Sequence, residues 1–549
     1  MYIIITIIII AALIAALVYQ GILENKRRET AMQDTYGKRH RISDALDRLE
    51  WISLLYQLEK KHIPANSLVD DITWNDLDMD SVFGLIDHTD SFAGEQCLYS
   101  KLHDLSAGKE EIEELERRIS LTDSNETLRR SIRKKLFILG KTYGDYDLPM
   151  LIDQLGTYKL KKPWVYYLLS GALIASGVCA AVFRTPLTVC ILLGIYIFNL
   201  VVHITRTAKL DAEIKALSGV GRLISTAISI DKECPGIDPK AREYLAPLKK
   251  AAKNAIALEI GRPRNNAFNE FSLISAYMLG PFMIDFIIYD RIISDLCGKL
   301  PDCFKAYRYV GETDCALAIS SFRKSTAHCV PVFTENRSFS FEGLVNPLLE
   351  RPVPNDLTFK KNIIITGSNA SGKSTFVKSV SINLILGQTL NTCTAVKAVI
   401  PRCGVMTSMA VRDDIISGES YYICEIKYLK RMIDNCSDDK LMFLAIDEIL
   451  KGTNNIERIA ASKAVIDYLS DKNCMLMTAT HDLELAGAFQ DRCDNYHFSE
   501  IIDSNDVVFD YIIHDGISNS SNAIKLLAAM HFPSEIINKS FSYLQDGVS

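Results

Sequence analysis

The clearest chemical pattern lies between Gly367 and Thr375, where the order G-x-x-x-x-G-K-S occurs. Residues 363–366 before it are apolar, and apolar residues at helical spacing follow it, so the pattern predicts a strand, a loop and a helix. In such a loop, backbone N–H groups surround phosphate oxygens and the helix N-terminus adds positive potential. We expect Lys373 to contact the β- and γ-phosphates of ATP and Ser374 to bind Mg²⁺. The predicted nucleotide-binding residues of this loop are Gly367, Ser368, Asn369, Ala370, Ser371, Gly372, Lys373, Ser374 and Thr375.

Two acidic residues end a second apolar run further along the chain. Residues 441–446 have the continuous apolar character of a buried parallel strand, and Asp447 and Glu448 follow directly. We expect Asp447 to hold Mg²⁺ through water and Glu448 to polarise the water that attacks the γ-phosphate. An apolar strand that ends in two acids is usually an ordinary strand end, and the phosphate loop upstream is what favours catalysis here.

A third apolar run, residues 474–480, leads to His481. Open α/β sheets bind ligands at the carboxyl ends of their strands, so His481 is predicted to lie near the γ-phosphate. The alternative for a lone histidine is an ordinary surface position. The predicted catalytic residues are Glu448, His481 and Lys373, and the predicted metal ligands are Ser374 and Asp447.

Small residues at positions 417–420 precede a predicted helix at 422–432. A helix N-terminus of this kind can bind an anion. Because the chain already has its phosphate loop, this segment is predicted to cover the nucleotide of a partner subunit. An ordinary helix cap at Ser417 or Ser420 explains the pattern equally well. The residues concerned are Ser417, Gly418, Glu419 and Ser420.

Three apolar stretches are long enough to cross a bilayer, which takes about 20 helical residues. The first is residues 1–22, for which a cleaved signal peptide is the alternative, although no basic residues precede the run. The other two form residues 163–204, interrupted at Arg184, and are predicted to be a helical hairpin. A buried helix pair in a soluble core is disfavoured, because such helices rarely lack charge around their whole circumference.

Basic residues flank these stretches and predict their orientation. The N-terminus and the Arg184 turn are expected outside, with residues 23–162 and 206–549 in the cytoplasm. This describes a multi-pass protein of the bacterial cytoplasmic membrane with a cytoplasmic ATPase domain. The flanking residues are Lys26, Arg27, Arg28, Lys159, Lys161, Lys162, Arg206 and Lys209.

Bulk composition limits the remaining choices. With 549 residues, the chain is too long for one core and should contain two or three folding units. Its 61 basic and 67 acidic residues leave a net charge of -6, which gives no whole-chain argument for nucleic-acid binding. The 14 cysteines show no metal-binding spacing and are predicted to be buried thiols in a reducing compartment.

The order of these motifs resembles the MutS family of mismatch-repair ATPases, a branch of the ABC ATPases. The phosphate loop is similar to the family's TGPNMGGKST, with Ser368 and Ala370 in place of Pro and Met. Tyr421 replaces a signature Thr. Further similarity lies in residues 82–102, 353–356, 413–425, 447–453, 479–481, 495–497 and 515–544.

The resemblance covers roughly residues 75–150 and 300–545, and it implies a fold class and a domain order. The expected fold is an α/β P-loop (ABC-type) ATPase domain that follows an all-α MutS-like core, with three transmembrane helices. Nothing before Asp78 is long enough for the family's mismatch-binding and connector domains. The predicted domains are an anchor (1–22), a helical linker (23–75), the first half of the helical core (76–162), the transmembrane hairpin (163–205), the second half of the core (206–330), the ATPase domain (331–515) and a helix-turn-helix dimerisation segment (516–549).

The resemblance further implies a homodimer that binds and hydrolyses ATP with Mg²⁺ at a composite site. We hypothesise that the membrane hairpin stands where the family's DNA clamp interrupts the helical core. One functional hypothesis is a membrane-tethered ATPase that acts on DNA, with basic runs near Arg129 and Lys249 as candidate phosphate contacts. The other is a membrane ATPase switch that acts on proteins or on the bilayer. A transporter is disfavoured, because the spans lack ionisable residues except the terminal His203.

Overall fold

The structure is a computed structural model that describes residues 35–39, 46–258, 277–368, 371–409, 421–436, 439–452, 454–503, 506–517 and 532–546. The predicted first span (1–22) and the small-residue segment (417–420) lie outside these ranges, as do Asn369 and Ala370. Most of the predicted C-terminal helix-turn-helix also lies outside, and only its last helix is described.

Among the described residues up to 325, the regular elements are helices. Polar side chains mark where several of them begin: Ser91 Oγ accepts a hydrogen bond from Gly94 N, and Asn125 Oδ1 accepts one from Leu128 N. The helices before the apolar block are α1 (Leu49–Ile52), α2 (Leu54–Glu59), α3 (Asp71–Asp76), α4 (Met79–Ile86), α5 (Phe92–His103), α6 (Lys109–Asp123), α7 (Glu126–Leu139) and α8 (Leu148–Asp153).

The apolar block forms two antiparallel helices, α9 (Trp164–Phe183) and α10 (Pro186–Glu233), which turn at Arg184. In the described part of the chain, these are the two helices long and apolar enough to cross a membrane, and only 17% and 11% of their apolar windows are buried. The core of the described chain therefore does not cover these two helices. Helix α10 does not end at the predicted limit of the hairpin but continues to residue 233, so it is 48 residues long, or about 70 Å.

The second half of α10 belongs to the helical core, where Ile214, Leu223 and Ile230 are fully buried. The helices that follow are α11 (Ala241–Leu245), α12 (Lys249–Leu258), α13 (Ile284–Cys297) and α14 (Leu300–Ser325). Helix α14 packs along α5, and its buried Asp314 accepts hydrogen bonds from the Ser91 backbone N–H and hydroxyl at 2.8 and 2.5 Å. The two halves of the chain around the hairpin thus form one packed body.

Two sheets follow the helices. The strands are β1 (Val332–Thr334), β2 (Phe339–Leu344), β3 (Asn355–Phe359), β4 (Asn362–Thr366), β5 (Lys397–Pro401), β6 (Gly404–Ser408), β7 (Met442–Asp447), β8 (Cys474–Thr480), β9 (Cys493–Asp503) and β10 (Asp506–Asp515). Four form a small sheet in the order β1-β5-β2-β3. Six form the large sheet in the order β10-β9-β4-β8-β7-β6, in which all neighbours are parallel except β9 and β10. A parallel sheet must be covered on both faces, and this explains why β4, β6 and β8 are buried along their whole length.

The helices of this α/β part are α15 (Lys373–Leu390), α16 (Tyr421–Asn435), α17 (Asn455–Ser470), α18 (Leu483–Ala488) and α19 (Ser534–Asp546). Buried polar contacts join this part to the helical core. Asp76 at the end of α3 accepts hydrogen bonds from the Thr407 hydroxyl at 2.7 Å and from Met409 N at 2.9 Å. Helix α3 is thereby fixed to β6, at the edge of the large sheet.

Candidate functional site

The loop after β4 requires glycine at both ends. Gly367 has φ +148°, and a Cβ there would lie 2.9 Å from the Phe498 carbonyl oxygen. Gly372 has φ +104°, and a Cβ there would lie 3.1 Å from the Tyr511 ring. Both positions combine a backbone conformation that favours glycine with a close neighbour. The loop therefore turns tightly from β4 into α15, whose first residue is Lys373.

Lys373 and Ser374 project into the same cleft as the first of the two acids. The Lys373 ammonium donates hydrogen bonds to the carbonyl oxygens of Gly367 and Ser368, both at 2.7 Å, and the residue is 5% exposed. The Ser374 hydroxyl donates to Asp447 Oδ2 at 2.6 Å. Two strands that are not adjacent in the sheet, β4 and β7, thus deliver a hydroxyl and a carboxylate to one point. Oxygen ligands of this kind are what Mg²⁺ prefers.

The second acid, Glu448, is held between two basic side chains. His481 Nδ1 lies 3.0 Å from Glu448 Oε1, and the Lys451 ammonium lies 3.3 Å from Oε2. Burial opposes ionisation of Glu448, but the hydrogen bond with His481 and the positive charge of Lys451 outweigh it, so the pKa of this carboxyl lies below its ordinary value. Glu448 is therefore a carboxylate at neutral pH.

The backbone after β7 adopts an unusual conformation. Glu448 has φ +64° and Leu450 has φ +57°, in the left-handed region that side chains other than glycine rarely occupy. Each such residue costs roughly 1–3 kcal/mol and persists only where its surroundings enforce it. Here the Glu448 N–H donates to the Ala479 carbonyl at 2.9 Å, which fixes the turn against the end of β8.

A buried glutamate on α16 fixes the far end of the same turn. Glu425 is 4% exposed, and its two carboxylate oxygens accept hydrogen bonds from Lys451 N at 3.0 Å and from Gly452 N at 3.1 Å. The sequence motif contains Glu425, but its spacing does not reveal these partners. Through them, α16 is tied to the residue that pairs with Glu448.

Lys373, Ser374, Asp447, Glu448 and Lys451 border a cavity of about 540 Å³. Its other wall comes from residues that the sequence reasoning did not select, because they lie on distant loops and strands and bear no chemical signature: Asn346, Leu349, Arg351, Pro352 and Tyr511. The motif at 353–356 was the sequence feature that could have pointed to this wall. It contains Asn355, which joins β3 to β10 by hydrogen bonds with the Tyr511 carbonyl and the Ile513 N–H at 3.0 and 2.8 Å. A wider depression of about 1060 Å³ beside β9 contains neither the glycine loop nor the two acids, so we place the site in the smaller cavity.

The predicted site residues are thus largely brought together. One cleft at the carboxyl edge of the large sheet is lined by most of them, and His481 joins it through its contact with Glu448. The predicted residues that line the cleft are Ser368, Ser371, Gly372, Lys373, Ser374, Thr375, Asp447 and Glu448. Ser371 contributes to the loop itself, because its hydroxyl donates to the Ser368 carbonyl at 2.8 Å. Asn369, Ala370 and the segment Ser417, Gly418, Glu419 and Ser420 lie outside the described residues, so their predicted roles stay predictions.

Comparison with known proteins connects this part of the chain to one family. The family model MutS domain V matches residues 363–546, which include the glycine loop, the two acids and His481. The DNA mismatch repair protein MutS of Pseudothermotoga lettingae is 29% identical over 263 residues, which is 46% of this chain and 32% of that protein. The MutS proteins of Petrotoga mobilis and Staphylococcus haemolyticus are 29% and 27% identical over 46% and 43% of this chain, and 32% and 28% of their own length.

The chain therefore aligns with about a third of the length of these curated relatives. The matched part contains the large sheet and the glycine loop between β4 and α15. This part of the chain, residues 363–546, therefore belongs to the MutS domain V family.

Proposed function

We propose that this protein is a membrane-anchored ATPase with a P-loop, ABC-type nucleotide site. The observation that carries the proposal is the contact of Ser374 Oγ with Asp447 Oδ2 at 2.6 Å, directly beside a glycine loop and a carboxylate paired with histidine. Membership of the MutS family supports it, since the matched domain is the family's ATPase domain.

Each residue has a role in this proposal. The loop N–H groups and Lys373 bind the triphosphate, and Ser374 and Asp447 are the residues that would hold Mg²⁺. The ion, when bound, neutralises charge on the phosphate oxygens. Glu448 accepts a hydrogen bond from the attacking water and orients it toward the γ-phosphate, while His481 fixes the carboxylate. A second subunit would complete the site with residues 417–420.

The membrane part of the proposal rests on the exposed apolar surface of α9 and α10. Their described apolar windows have mean hydropathies of 1.8 and 2.3, and large side chains such as Val182, Leu187 and Phe198 are more than half exposed. An apolar surface of this size in water would be a severe aggregation liability. The basic residues near residues 159–162 and 206–209 support a cytoplasmic position for the adjoining core and the ATPase domain.

Nucleotide binding tests the proposal directly. The purified protein should bind a fluorescent ATP analogue in the presence of Mg²⁺, and Lys373→Ala should abolish that binding, because the ammonium is a charge partner of the phosphates. Lys360→Ala, at an exposed position outside the cavity, is the matched control and should bind normally. Equal affinity in both variants would refute the site assignment.

Two effectors of the ATPase are proposed, and different observations favour them. The relatives are named as DNA mismatch repair proteins, which favours DNA. Against this, the basic run on α7 is neutralised within the chain, which favours a switch that acts on a protein or on the bilayer. The ion pairs join Arg129 to Asp123, Arg130 to Glu126, Arg133 to Asp90 and Lys135 to Glu233.

Retention of duplex DNA at increasing salt separates the two effectors. If DNA is bound, the logarithm of the affinity should fall linearly with the logarithm of the salt concentration, because phosphate contacts release counterions. If the effector is a protein or the bilayer, the protein in nanodiscs should retain no duplex even at low salt. Mismatched and branched duplexes belong in the same experiment, with ATP hydrolysis as the second readout.

A further inference from the structure

Helix α10 carries one polar face in its otherwise apolar half, and three side chains on that face contact the same neighbouring segment. Tyr196, Asn199 and His203 are spaced so that they lie along one side of the helix. All three contact the short segment at residues 277–285, which we term the inner segment.

The contacts follow α10 step by step. The Tyr196 hydroxyl donates to the Tyr277 carbonyl at 2.5 Å, and Asn199 Nδ2 donates to the Pro281 carbonyl at 2.8 Å. His203 Nε2 lies 2.9 Å from Asp285 Oδ2. The inner segment therefore runs parallel to α10 over this stretch.

The inner segment needs these donors because its backbone is broken. Pro281 has no N–H, so the Tyr277 carbonyl four residues earlier lacks the partner it would have in a helix. Met283 has φ +53° and separates a short 3₁₀ turn, Gly280–Phe282, from the start of α13. Backbone groups without partners are not tolerated in lipid, and irregular backbone occurs there only where protein groups satisfy it. Tyr196 and Asn199 supply such groups.

The position of Tyr196 on α10 defines the depth of the contact. This residue lies midway between the Arg184 turn and Arg206, and ten residues of helix span roughly 15 Å, half of a typical hydrocarbon layer. Tyr277 would then lie near the bilayer centre and Asp285 near the cytoplasmic boundary. Leu258 and Leu296, on either side, are both buried in the helical core.

The outer side of the inner segment is apolar and exposed. Tyr277, Met278, Leu279 and Ile284 are 51%, 61%, 51% and 44% exposed. Phe282 contributes to an apolar groove of about 540 Å³ between α9 and α10. Through Phe282, the apolar surface of the hairpin thus continues onto the inner segment.

We propose that residues 277–284 are embedded in the cytoplasmic half of the bilayer beside α10, with their exposed side chains against lipid acyl chains. The inference rests on the proposed membrane hairpin. It adds a membrane-contacting element that does not cross the layer, because Leu258 before it and Leu296 after it both lie in the helical core. The Tyr196 hydroxyl, the Asn199 amide and the His203–Asp285 pair hold the element against the hairpin.

Quenching of tryptophan fluorescence by brominated phosphatidylcholine tests the proposal in the full-length protein reconstituted into vesicles. Met278→Trp is compared with Ile197→Trp on the hairpin, which is 58% exposed, and with Ile456→Trp on the α/β domain, which is 79% exposed. The unsubstituted protein, with its 3 native tryptophans, provides the background.

The expected result is a loss of fluorescence for Met278→Trp similar to that for Ile197→Trp, with none for Ile456→Trp. Quenching at 197 but not at 278 would overturn the embedded segment and leave the hairpin intact. Absence of quenching at both positions would overturn the membrane hairpin itself, so the two failures are distinguishable.

A second variant tests the hydrogen bond that holds the segment. Adding Tyr196→Phe to Met278→Trp removes the donor to the Tyr277 carbonyl and should reduce the quenching at 278, while quenching at 197 stays unchanged. Tyr167→Phe, an exposed tyrosine on α9, is the matched control and should leave both signals as they are. Equal quenching at 278 with and without the Tyr196 hydroxyl would contradict the role given to it.

Discussion

Glu448 is the residue whose surroundings most clearly suggest catalysis, because its charge is stabilised and its position is fixed. Its carboxylate lies between His481 and Lys451, and its backbone is held in the left-handed region. Conversion to the amide keeps the shape of the side chain but removes the charge that orients water.

Glu448→Gln should therefore bind ATP normally and hydrolyse it about 10²–10⁴-fold more slowly, the range typical of a general base. Single-turnover hydrolysis measures the chemical step directly. Glu484→Gln, an exposed partner of Lys463 outside the cavity, should behave as the unsubstituted protein. Normal hydrolysis by Glu448→Gln would show that another group positions the water.

The pH dependence of hydrolysis reports on the His481 contact. Because His481 helps to lower the pKa of Glu448, its removal should raise that pKa toward the ordinary value. A carboxylate is lost as pH falls through its pKa, so the acid limb of the rate profile should move to higher pH in His481→Asn. The control is His514→Asn. In the described structure the His514 side chain forms a hydrogen bond with Asp510, so its removal should leave the acid limb in place. If the acid limb of His481→Asn is unshifted, the ionisation of Glu448 does not determine the pH dependence of the rate.

At this scale the sequence was informative where chemistry depends on neighbours along the chain. The glycine loop, the acids after β7 and His481 were all predicted from local patterns, and the structure brings them into one cleft. Three features were not predicted: the contact of Lys451 with Glu448, the left-handed backbone of Leu450, and the place of Tyr511 in the cavity wall. They depend on how distant strands meet, and no spacing rule encodes that.

Among the elements, α16 has a direct connection to the catalytic turn through Glu425. A buried carboxylate that accepts two backbone N–H groups cannot be replaced by an amide without losing one acceptor, which costs about 1–3 kcal/mol. One of those N–H groups belongs to Lys451, whose ammonium contacts Glu448. Loss of the hydrogen bond should therefore also disturb the position of the Glu448 carboxylate.

Glu425→Gln should thus lower the thermal unfolding temperature and reduce the ATPase rate at temperatures where the protein is still folded. Asp434→Asn on the same helix removes only an exposed ion pair with Lys430 and should change neither quantity. A variant that loses stability but keeps the full rate would limit Glu425 to a structural role.

Helix α10 shows why element boundaries are harder to predict than element types. Its apolar half was recognised from composition, and the hairpin was predicted to end at residue 205, where the second half of the core was predicted to begin. Charge alone does not end a helix, and residues 207–233 contain no proline. Gly219 and Gly221 lie inside the helix, where a Cβ would meet Asp145 or Ala255 at 2.8 or 2.2 Å, so they serve close packing and not termination.

At the scale of the whole molecule, α10 joins the apolar hairpin to the core that contacts the ATPase domain. Its exposed half and its buried half form one continuous helix, so the hairpin and the helical core are held in a fixed relation. Movement of the core during a nucleotide cycle would therefore also move the hairpin in the membrane. This consequence depends on the hairpin crossing the layer with the Arg184 turn outside.

A topology experiment tests that dependence. In intact cells or sealed right-side-out vesicles, Arg184→Cys should react with a membrane-impermeant maleimide, and Lys209→Cys should react only after permeabilisation. The native Cys179 and Cys190 lie on the exposed apolar helices and should be shielded by lipid, with the unsubstituted protein as their background.

Adding Ile197→Arg places a charge near the centre of the layer at a cost of about 2.5–3.5 kcal/mol and should reduce labelling at position 184. Ile456→Arg, on the α/β domain, should have no effect. If position 184 reacts only after permeabilisation, the hairpin does not cross the membrane, and α10 connects the ATPase to something other than the bilayer.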